Sequence, residues 1–377
     1  MTDQEKANGQ LMKYIEKYES VQKTLTNFIE NDRNQNLSHL INYISELKIF
    51  ENIHEAHDFL CLISTISKHH HRIPGFFTKF EELLLEIKDQ IRILSNSEIF
   101  EIFKTNKRLL LFLIETKIII LDQNIANSIY QRHQKYFLPE IKRFINSQSI
   151  EKIESELKMI ENFEEKRKIG ENDSYLCQLI RDDMIDDFIA YVNKAKVSFC
   201  TPIESSIFET NSFLTKRKTT LIEYTAFFGS IKIFKYLYMN NAFMNPSLFA
   251  CAVHGCNSEL IHFLEEKVPF NSNENLLKEC LIESIKCHHN ELIEYFMNKA
   301  NQQQDCQTVF PQSIHYRNYF YFPDDLTNKF AFYCLCKYNH FEIVKHLTRE
   351  FNIDINYKIK VNQFFCFNDI HQTKFHS

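Results

Sequence analysis

The sequence predicts an all-α protein in which a helical N-terminal region is followed by an α-solenoid of short helical repeats. Only 5 of the 377 residues are glycine and 7 are proline. Because both residue types interrupt regular structure, their scarcity favours helices joined by short turns. Apolar residues recur at steps of three and four along residues 1–170, which is the spacing of one helix face. Segments of similar pattern then follow each other from residue 219 onwards.

The N-terminal region, residues 1–170, is predicted to consist of consecutive amphipathic helices. Their apolar stripes run over Leu11–Ile29, Leu37–Leu47, Ile53–Ile66 and Phe80–Leu94. Ser97 is expected to cap the next helix, with Glu98 in its first turn. Further helices are expected over 106–121, 124–146 and 149–168, and Pro139 should kink or divide the second of these. Gly170, in a stretch rich in glutamate and lysine, marks the predicted domain boundary.

Four segments after this boundary share one pattern: Thr219–Leu237, Pro246–Leu264, Lys278–Phe296 and Asn328–Leu347. Each has a short helix with small residues on its inner face, a tight polar turn and a second amphipathic helix. The turn positions that align are Gly229, Cys256, His288 and Asn339, at separations of 27, 32 and 51 residues. The first two separations straddle a repeat length of about 33 residues, and the last contains an insertion.

These segments resemble ankyrin repeats, most clearly in NHFEIVKHLTREFNIDIN (Asn339–Asn356) and with more drift in FFGSIKIFKYLYMNNAFMN (Phe227–Asn245). The Thr-Pro-Leu-His start of the family is nearly lost, since Thr220 to Glu223 read Thr-Leu-Ile-Glu. The chain also resembles, over 172–356 and more loosely over 1–171, a divergent class of protist proteins that couple a helical region to ankyrin repeats. The resemblance implies about four to five repeats over 172–358, an incomplete or truncated segment over 359–377, and a protein partner.

Such an array presents a concave face built from first-helix positions and loop tips. The resemblance therefore implies partner contacts on the first helices at Glu223, Phe227, Phe228, His254, Lys286, Cys287, Lys337 and Tyr338. Contacts at loop tips are expected at Asn241, Phe243 and Asp354. The alternative for each residue is that it faces solvent or packs on its neighbours.

The insertion over 302–325 concentrates aromatic residues beside Arg317, among them Tyr319 and Tyr321. Aromatic rings with arginine are enriched at binding hot spots, which favours a binding loop with Tyr319 and Tyr321 as contacts. The alternative is a loop folded back onto the array that buries these rings, since several exposed aromatics would be adhesive. The folded-back loop is the preferred interpretation.

Charge and cysteine content exclude several classes of function. The net charge of −5 offers no basic excess for a phosphate backbone, so no nucleic acid partner is expected. The polar N-terminus does not read as a secretion signal, and eleven cysteines are then expected to be reduced in the cytoplasm. The apolar run Leu109–Leu121 contains Glu115 and Lys117 and is too short to span a bilayer, so a buried helix and no membrane insertion are predicted.

No catalytic, cofactor or metal site is predicted. His69-His70-His71 and Cys287-His288-His289 lack the paired spacing of zinc sites, and adjacent histidines on a helix point to different sides. Five glycines supply no phosphate loop, and no nucleophile elbow or metalloprotease motif occurs. The predicted function is a non-catalytic adaptor or scaffold that binds a partner through the concave surface. The alternative is a structural or self-associating helical scaffold.

Overall fold

A computed structural model describes residues 3–31, 35–145, 149–267, 274–299, 302–323 and 325–351 of the chain. Within these ranges the chain forms twenty-two α-helices and no strand, apart from one isolated bridge between Pro202 and Thr220. The predicted all-α class is confirmed. None of the helices in these ranges combines the length and apolarity needed to cross a membrane.

The N-terminal region contains ten helices among its described residues. Its predicted apolar stripes turn inward, and Tyr18, Leu25 and Phe59 are fully buried. The Leu109–Leu113 run is buried as expected. The helices are α1 (Asp3–Glu30), α2 (Gln35–Glu46), α3 (Ile53–His69), α4 (Phe76–Glu86), α5 (Lys88–Ile91), α6 (Asn96–Phe103), α7 (Lys107–Glu115), α8 (Gln123–Ile141), α9 (Ser149–Lys158) and α10 (Phe163–Ile169).

Several predicted helix ends in this region are corrected. Ser95, rather than Ser97, caps α6 in a capping box. The Ser95 side chain accepts the backbone amide of Glu98, and the Glu98 side chain accepts the backbone amide of Ser95. The helix predicted over 106–121 ends at Glu115, followed by Lys117 at a φ of 59°. The stretch 149–168 forms two helices, α9 and α10. The bend of α8 lies at His133, on the N-terminal side of Pro139, whose ring presses on the preceding turn.

The second half of the chain is built from helix pairs. The first helices of the pairs contact one another in chain order, from α11 to α14, α16, α18, α20 and α21. The helices are α11 (Tyr175–Arg181), α12 (Ile185–Ala195), α13 (Ser212–Thr215), α14 (Leu221–Phe228), α15 (Ile231–Met239), α16 (Ser247–His254), α17 (Ser258–Lys267), α18 (Glu274–Cys287), α19 (Asn290–Lys299), α20 (Gln302–Tyr316), α21 (Lys329–Lys337) and α22 (Phe341–Glu350). Five of these first helices are followed directly by a second helix, whereas α20 is followed by a short 3₁₀ helix, Tyr319–Tyr321.

One type of turn follows each of the six first helices. A residue with positive φ ends the turn in every case, at Asp183, Gly229, Cys256, His288, Arg317 and Asn339. In five of the turns the next residue donates its amide to the carbonyl five positions earlier, as in a Schellman motif. Glycine relieves the strain of this conformation at Gly229 alone. Arg317 belongs to this series although it lies inside the predicted insertion, so α20 occupies the place of a first helix.

Polar side chains connect each turn to the preceding one. The residue after the positive-φ position donates a side-chain hydrogen bond to a carbonyl at the end of the previous first helix. We call this series the turn ladder; its bonds are Ser230 to Ile180 O, Asn257 to Gly229 O (3.1 Å), His289 to His254 O (3.3 Å), Asn318 to Ile285 O (3.3 Å) and His340 to Ile314 O (2.8 Å). The turn ladder adds a side-chain hydrogen bond to carbonyls at helix ends, where the regular helical acceptors end.

The hydrophobic cores do not follow the predicted boundary at residue 170. One core joins the N-terminal helices α1–α8 to residues 314–347, including Tyr319, Leu335 and Leu347. A second core extends from Cys177 to Val309. The end of the repeat array therefore packs into the same interior as the beginning of the chain, and α1 contacts α22 directly.

A buried ion pair connects the two ends of the chain. Arg317 donates through Nη1 to Asp58 Oδ1 at 2.9 Å, and Tyr14 donates to Asp58 Oδ2 at 2.8 Å. Arg317 also donates through Nη2 to the carbonyls of Tyr338 and Asn339. Burial alone would raise the pKa of Asp58, but the charge of Arg317 together with the hydrogen bonds from His57 and Tyr14 outweighs burial and holds that pKa below its usual value. Asp58 is therefore an anion in the interior.

The aromatic insertion folds back against α1, although as a helix rather than as a loop. Gln22 Nε2 donates to Asn318 Oδ1 at 2.9 Å, and the amide of Tyr319 donates to Gln22 Oε1 at 2.8 Å. The ring of Tyr319 is fully buried, with its centroid 5.0 Å from that of Tyr18. Tyr321 is half-buried and donates its hydroxyl to Asn290 O at 3.1 Å.

Replacing Asp58 with alanine should destabilise the fold strongly, because Arg317 would remain buried without its anion. The expected loss is about 3–5 kcal/mol in the free energy of unfolding, measured by urea denaturation. Asp89→Ala is the matched control, since the Asp89–Arg92 pair is exposed on both sides and should contribute almost nothing. Equal effects of the two substitutions would contradict the role assigned to Asp58.

The same cluster predicts a loss of stability at alkaline pH. Burial alone would lower the pKa of His57, but its interactions with Asp58 and Cys61 together outweigh burial and raise the pKa to about 9 from an ordinary value of 6.5. A raised pKa in the folded state means that this stabilisation is complete below pH 6.5 and is lost as the pH rises through 9. Denaturation curves between these values should show falling stability in the wild-type protein and a shallower fall in His57→Gln. Parallel slopes would refute the prediction.

Candidate functional site

The structure buries about half of the contact residues predicted from the sequence. Phe243, Asn241 and Lys337 are exposed, and Phe228 and Tyr338 are half-buried, as is Tyr321. Asp354 and the segment 359–377 lie outside the described residues. The expectation that the rest face outward is wrong, because the chain itself covers them; they are Glu223, Phe227, His254, Lys286, Cys287 and Tyr319. Contact between the accessible residues and a partner remains a prediction.

The segment around α13 forms this cover over α14 and α16. Phe213 places its ring centroid 5.5 Å from that of Phe227 and 5.7 Å from that of His254. Phe227 and His254 stack on each other at 3.9 Å. Asn211 Nδ2 lies 3.4 Å from His254 Nε2. Phe227 and His254 therefore belong to a packed layer between α13 and the first helices.

Glu223 connects one repeat to the next. Its carboxylate accepts the amide of Thr220 at 2.8 Å, which completes a capping box at the start of α14. It also accepts hydrogen bonds from Asn245 and Ser247 at the start of the next repeat. Burial alone would raise the pKa of Glu223, but these hydrogen bonds lower it. Glu223 is thus an anion that holds two repeats together.

A second buried cluster contains the predicted contacts His254, Lys286 and Cys287. Lys286 Nζ lies 3.0 and 2.9 Å from the two carboxylate oxygens of Glu283, and His254 Nδ1 lies 2.8 Å from Glu283 Oε1. Burial alone would raise the pKa of Glu283, but the charge of Lys286 and the hydrogen bonds from His254 and Lys286 together outweigh it and lower the pKa to about 2. Burial lowers the pKa of His254 to about 4, so the neutral imidazole donates to Glu283.

The chemistry of this cluster is that of a structural ion pair. His254, Glu283 and Cys287 bring three possible metal ligands within 4.8 Å of one another, but the Lys286 ammonium already provides the positive charge. Burial raises the pKa of the Cys287 thiol well above its usual value. The protonated thiol lacks the nucleophilicity of a thiolate.

Basic and aromatic side chains meet beside this cluster, at the C-terminal ends of α3, α20 and α21. His315 stacks on the ring of Tyr316 at 4.2 Å and on that of Tyr338 at 4.1 Å. Lys337 Nζ lies 5.1 Å from the Tyr338 ring centroid. We define the basic aromatic surface by these side chains together with two further lysines: Lys68, Lys216, His315, Tyr316, Lys337 and Tyr338.

The pKa values of Lys68 and His315 are both lowered at this surface. Burial lowers the pKa of Lys68 to about 8, and the charges of Lys216 and Lys286 lower it further in the same direction. Burial also lowers the pKa of His315 to about 3, assisted by Lys68, Lys337, Lys286 and Lys216. Since Glu283 compensates Lys286, the local excess of positive charge comes from Lys68 and Lys216.

The sequence pointed to only part of this surface. Lys337 and Tyr338 were predicted as contacts from their positions on a first helix. Lys68 and Lys216 were not, because they lie far from Lys337 in the chain and only the fold brings them together. The exposed run Lys216-Arg217-Lys218 is the one local pattern that could have drawn attention to it.

Comparisons with known proteins identify no relative. No protein-family model, curated protein or solved structure matches the chain. The resemblance to ankyrin repeats therefore stays a prediction, and the function has to be argued from the residues of the surface itself.

Proposed function

We propose that the protein is a non-catalytic scaffold built on ankyrin-type repeats, and that its basic aromatic surface binds an acidic segment of a partner protein. The observation that carries the proposal is the proximity of the uncompensated Lys216 to Lys68, beside exposed and half-buried aromatic rings, on a chain whose net charge is −5. Complementary charge promotes encounter and selects partners. Tyr316 and Tyr338 supply the apolar contact area that binding energy requires.

The helix arrangement supports the ankyrin-type part of the proposal. First helices stack in chain order, and the same turn recurs after each of them. The turn ladder links each repeat to its neighbour, as expected where a single repeat cannot bury its own apolar face. Lys337 and Tyr338 lie at the end of the first helix α21, which is where the concave surface of such an array meets its turns.

The perturbed Lys68 gives the surface a preference for an anion. Lys68 Nζ donates to the hydroxyl of Thr105 at 3.0 Å, which supplies no compensating charge. Lys216 and Lys286 oppose its protonation. A carboxylate bound at this surface would relieve that repulsion and raise the pKa of Lys68, so binding near pH 8 should be accompanied by proton uptake.

Charge reversal tests the proposal directly. A fluorescent oligoglutamate peptide should bind the wild-type protein, and the double variant Lys68→Glu/Lys337→Glu should bind it at least about tenfold more weakly, because attraction becomes repulsion. Fluorescence anisotropy at rising salt measures the affinity, which should fall as the charges are screened.

The matched control is Lys232→Glu/Lys267→Glu, which makes the same change in net charge at exposed positions on the outer helices α15 and α17. It should bind the peptide like the wild-type protein. If both double variants lose affinity equally, the effect is one of net charge and the assigned surface is wrong. Stronger binding of a single-stranded oligonucleotide of equal charge would contradict a protein partner.

Self-association is the second candidate function, and one observation favours it. Met239 and Phe243, around the turn between α15 and α16, are 71% and 68% exposed. Exposed apolar side chains of this size favour association between copies.

Sedimentation velocity should then show a dimer that Phe243→Ser converts to a monomer, because the substitution removes apolar area without touching either core. The control is Phe320→Ser, which changes a ring that is only 38% exposed and lies in the 3₁₀ helix Tyr319–Tyr321. It should leave the dimer intact. A monomer at every wild-type concentration would exclude this alternative.

A further inference from the structure

Three histidines converge where the N-terminal helices meet the helix pair α18 and α19. Helix α3 ends at His69, and His70 has extended backbone geometry, with φ −62° and ψ 151°. His70 and His71 therefore leave the helix and are no longer held to opposite sides of it, which corrects the prediction that adjacent histidines here cannot converge. One ring nitrogen of each of His70, His71 and His289 lies within 4.8 Å of the other two.

Backbone carbonyls fix the proton positions of two of these rings. His70 Nδ1 lies 2.7 Å from the carbonyl oxygen of Cys287, so Nδ1 carries the proton and Nε2 keeps a lone pair. His289 Nε2 lies 3.3 Å from the carbonyl oxygen of His254, so Nε2 carries the proton and Nδ1 keeps the lone pair. Metal-binding histidines in proteins are oriented in this way by a hydrogen bond at the other nitrogen.

One further nitrogen of His70 and one of His71 are buried without hydrogen-bond partners. His70 Nε2 and His71 Nδ1 are both fully enclosed and accept no hydrogen bond. A buried polar atom without a partner destabilises the folded state unless something else satisfies it. Glu30, the last residue of α1, brings its Oε1 to 3.2 Å from His70 Nε2 without hydrogen-bond geometry. Lone pairs and a carboxylate thus surround one point.

We propose that His70, His71 and His289, completed by the carboxylate of Glu30, bind a first-row divalent transition metal ion such as Zn²⁺. Imidazole nitrogens with one carboxylate are typical ligands of this class of ion. In a tetrahedral zinc site the ligand nitrogens are about 3.3 Å apart, so the three rings need to close only slightly around the ion. The partial exposure of Glu30 leaves a path for the ion to enter.

The neighbouring charges are compatible with a cation at this point. Arg72 is directed elsewhere, to Glu171 at 3.0 Å and to the rings of Phe76 and Phe77. The cluster of His254, Glu283 and Cys287, by contrast, already contains the Lys286 ammonium.

An ion at this position would join three separate parts of the chain. Glu30 ends α1, His70 and His71 follow α3, and His289 belongs to the turn ladder after α18. Because the unfolded chain does not hold these residues together, metal binding adds to the stability of the folded state.

The test uses the full-length protein without an affinity tag, freed of metals by a chelator and kept reduced with a phosphine. Calorimetric titration with ZnCl₂ should show one ion per chain, and the melting temperature should rise with Zn²⁺. His71→Phe keeps the ring and removes no hydrogen bond, so its metal-free melting temperature should be unchanged. Its affinity for Zn²⁺ should fall at least about tenfold.

A second variant guards against a folding defect in the first. His289→Gln retains an amide donor toward the carbonyl of His254 but has no ring nitrogen for the ion, and it should lose Zn²⁺ affinity as well. His262→Phe, at an exposed position on α17, is the control and should bind like the wild-type protein. Absence of saturable binding to the wild-type protein, or undiminished binding by His71→Phe and His289→Gln, would overturn the proposal.

Discussion

The buried pair of Arg317 and Asp58 is the interaction on which the arrangement of the chain depends. Two charges without water are tolerated only when their hydrogen-bonding groups are satisfied. Asp58 needs Tyr14 from α1, and Arg317 needs the carbonyls of Tyr338 and Asn339 from the turn after α21. The ion pair therefore forms only when α1, α3, α20 and α21 are all in place. It converts a string of helix pairs into a chain whose two ends share one core.

The turn ladder explains how the stacked helix pairs bring Arg317 to Asp58. Each turn donates a side-chain hydrogen bond to a carbonyl at the end of the previous first helix, so the direction of stacking is kept from α11 to α21. α20 continues the series although it has no second helix of its own, and the space of that helix is filled by the 3₁₀ turn against α1. The consequence for function is that much of the first-helix surface is occupied internally. The basic aromatic surface is the part that remains accessible at its edge.

Local patterns predicted the helices well, because the three-to-four spacing of apolar residues over Leu11 to Ile29 and over Leu37 to Leu47 fits a helix and not the alternation of a strand. They failed where the decisive neighbour is distant in sequence. Phe227 looks like a concave-face residue until Phe213 covers it. The turn at Arg317 does not appear in the sequence alignment because residues 302–325 read as an insertion, whereas the structure gives Arg317 a positive φ and anchors its side chain to Asp58. The histidine cluster was dismissed on helical geometry, which stops applying at His70.

Both proposed sites belong to one short segment at the end of α3. Lys68 lies in the basic aromatic surface, His69 packs edge-on against Tyr316 at 5.4 Å, and His70 and His71 face His289. Residues 68–71 run without interruption from one site to the other, so an ion that fixes His70 and His71 also fixes the backbone that presents Lys68. A dication there would further add positive field where Lys216 already acts on Lys68. Because such fields are weakly screened in partly buried positions, the attraction for an acidic partner would depend on whether the histidine cluster holds its ion.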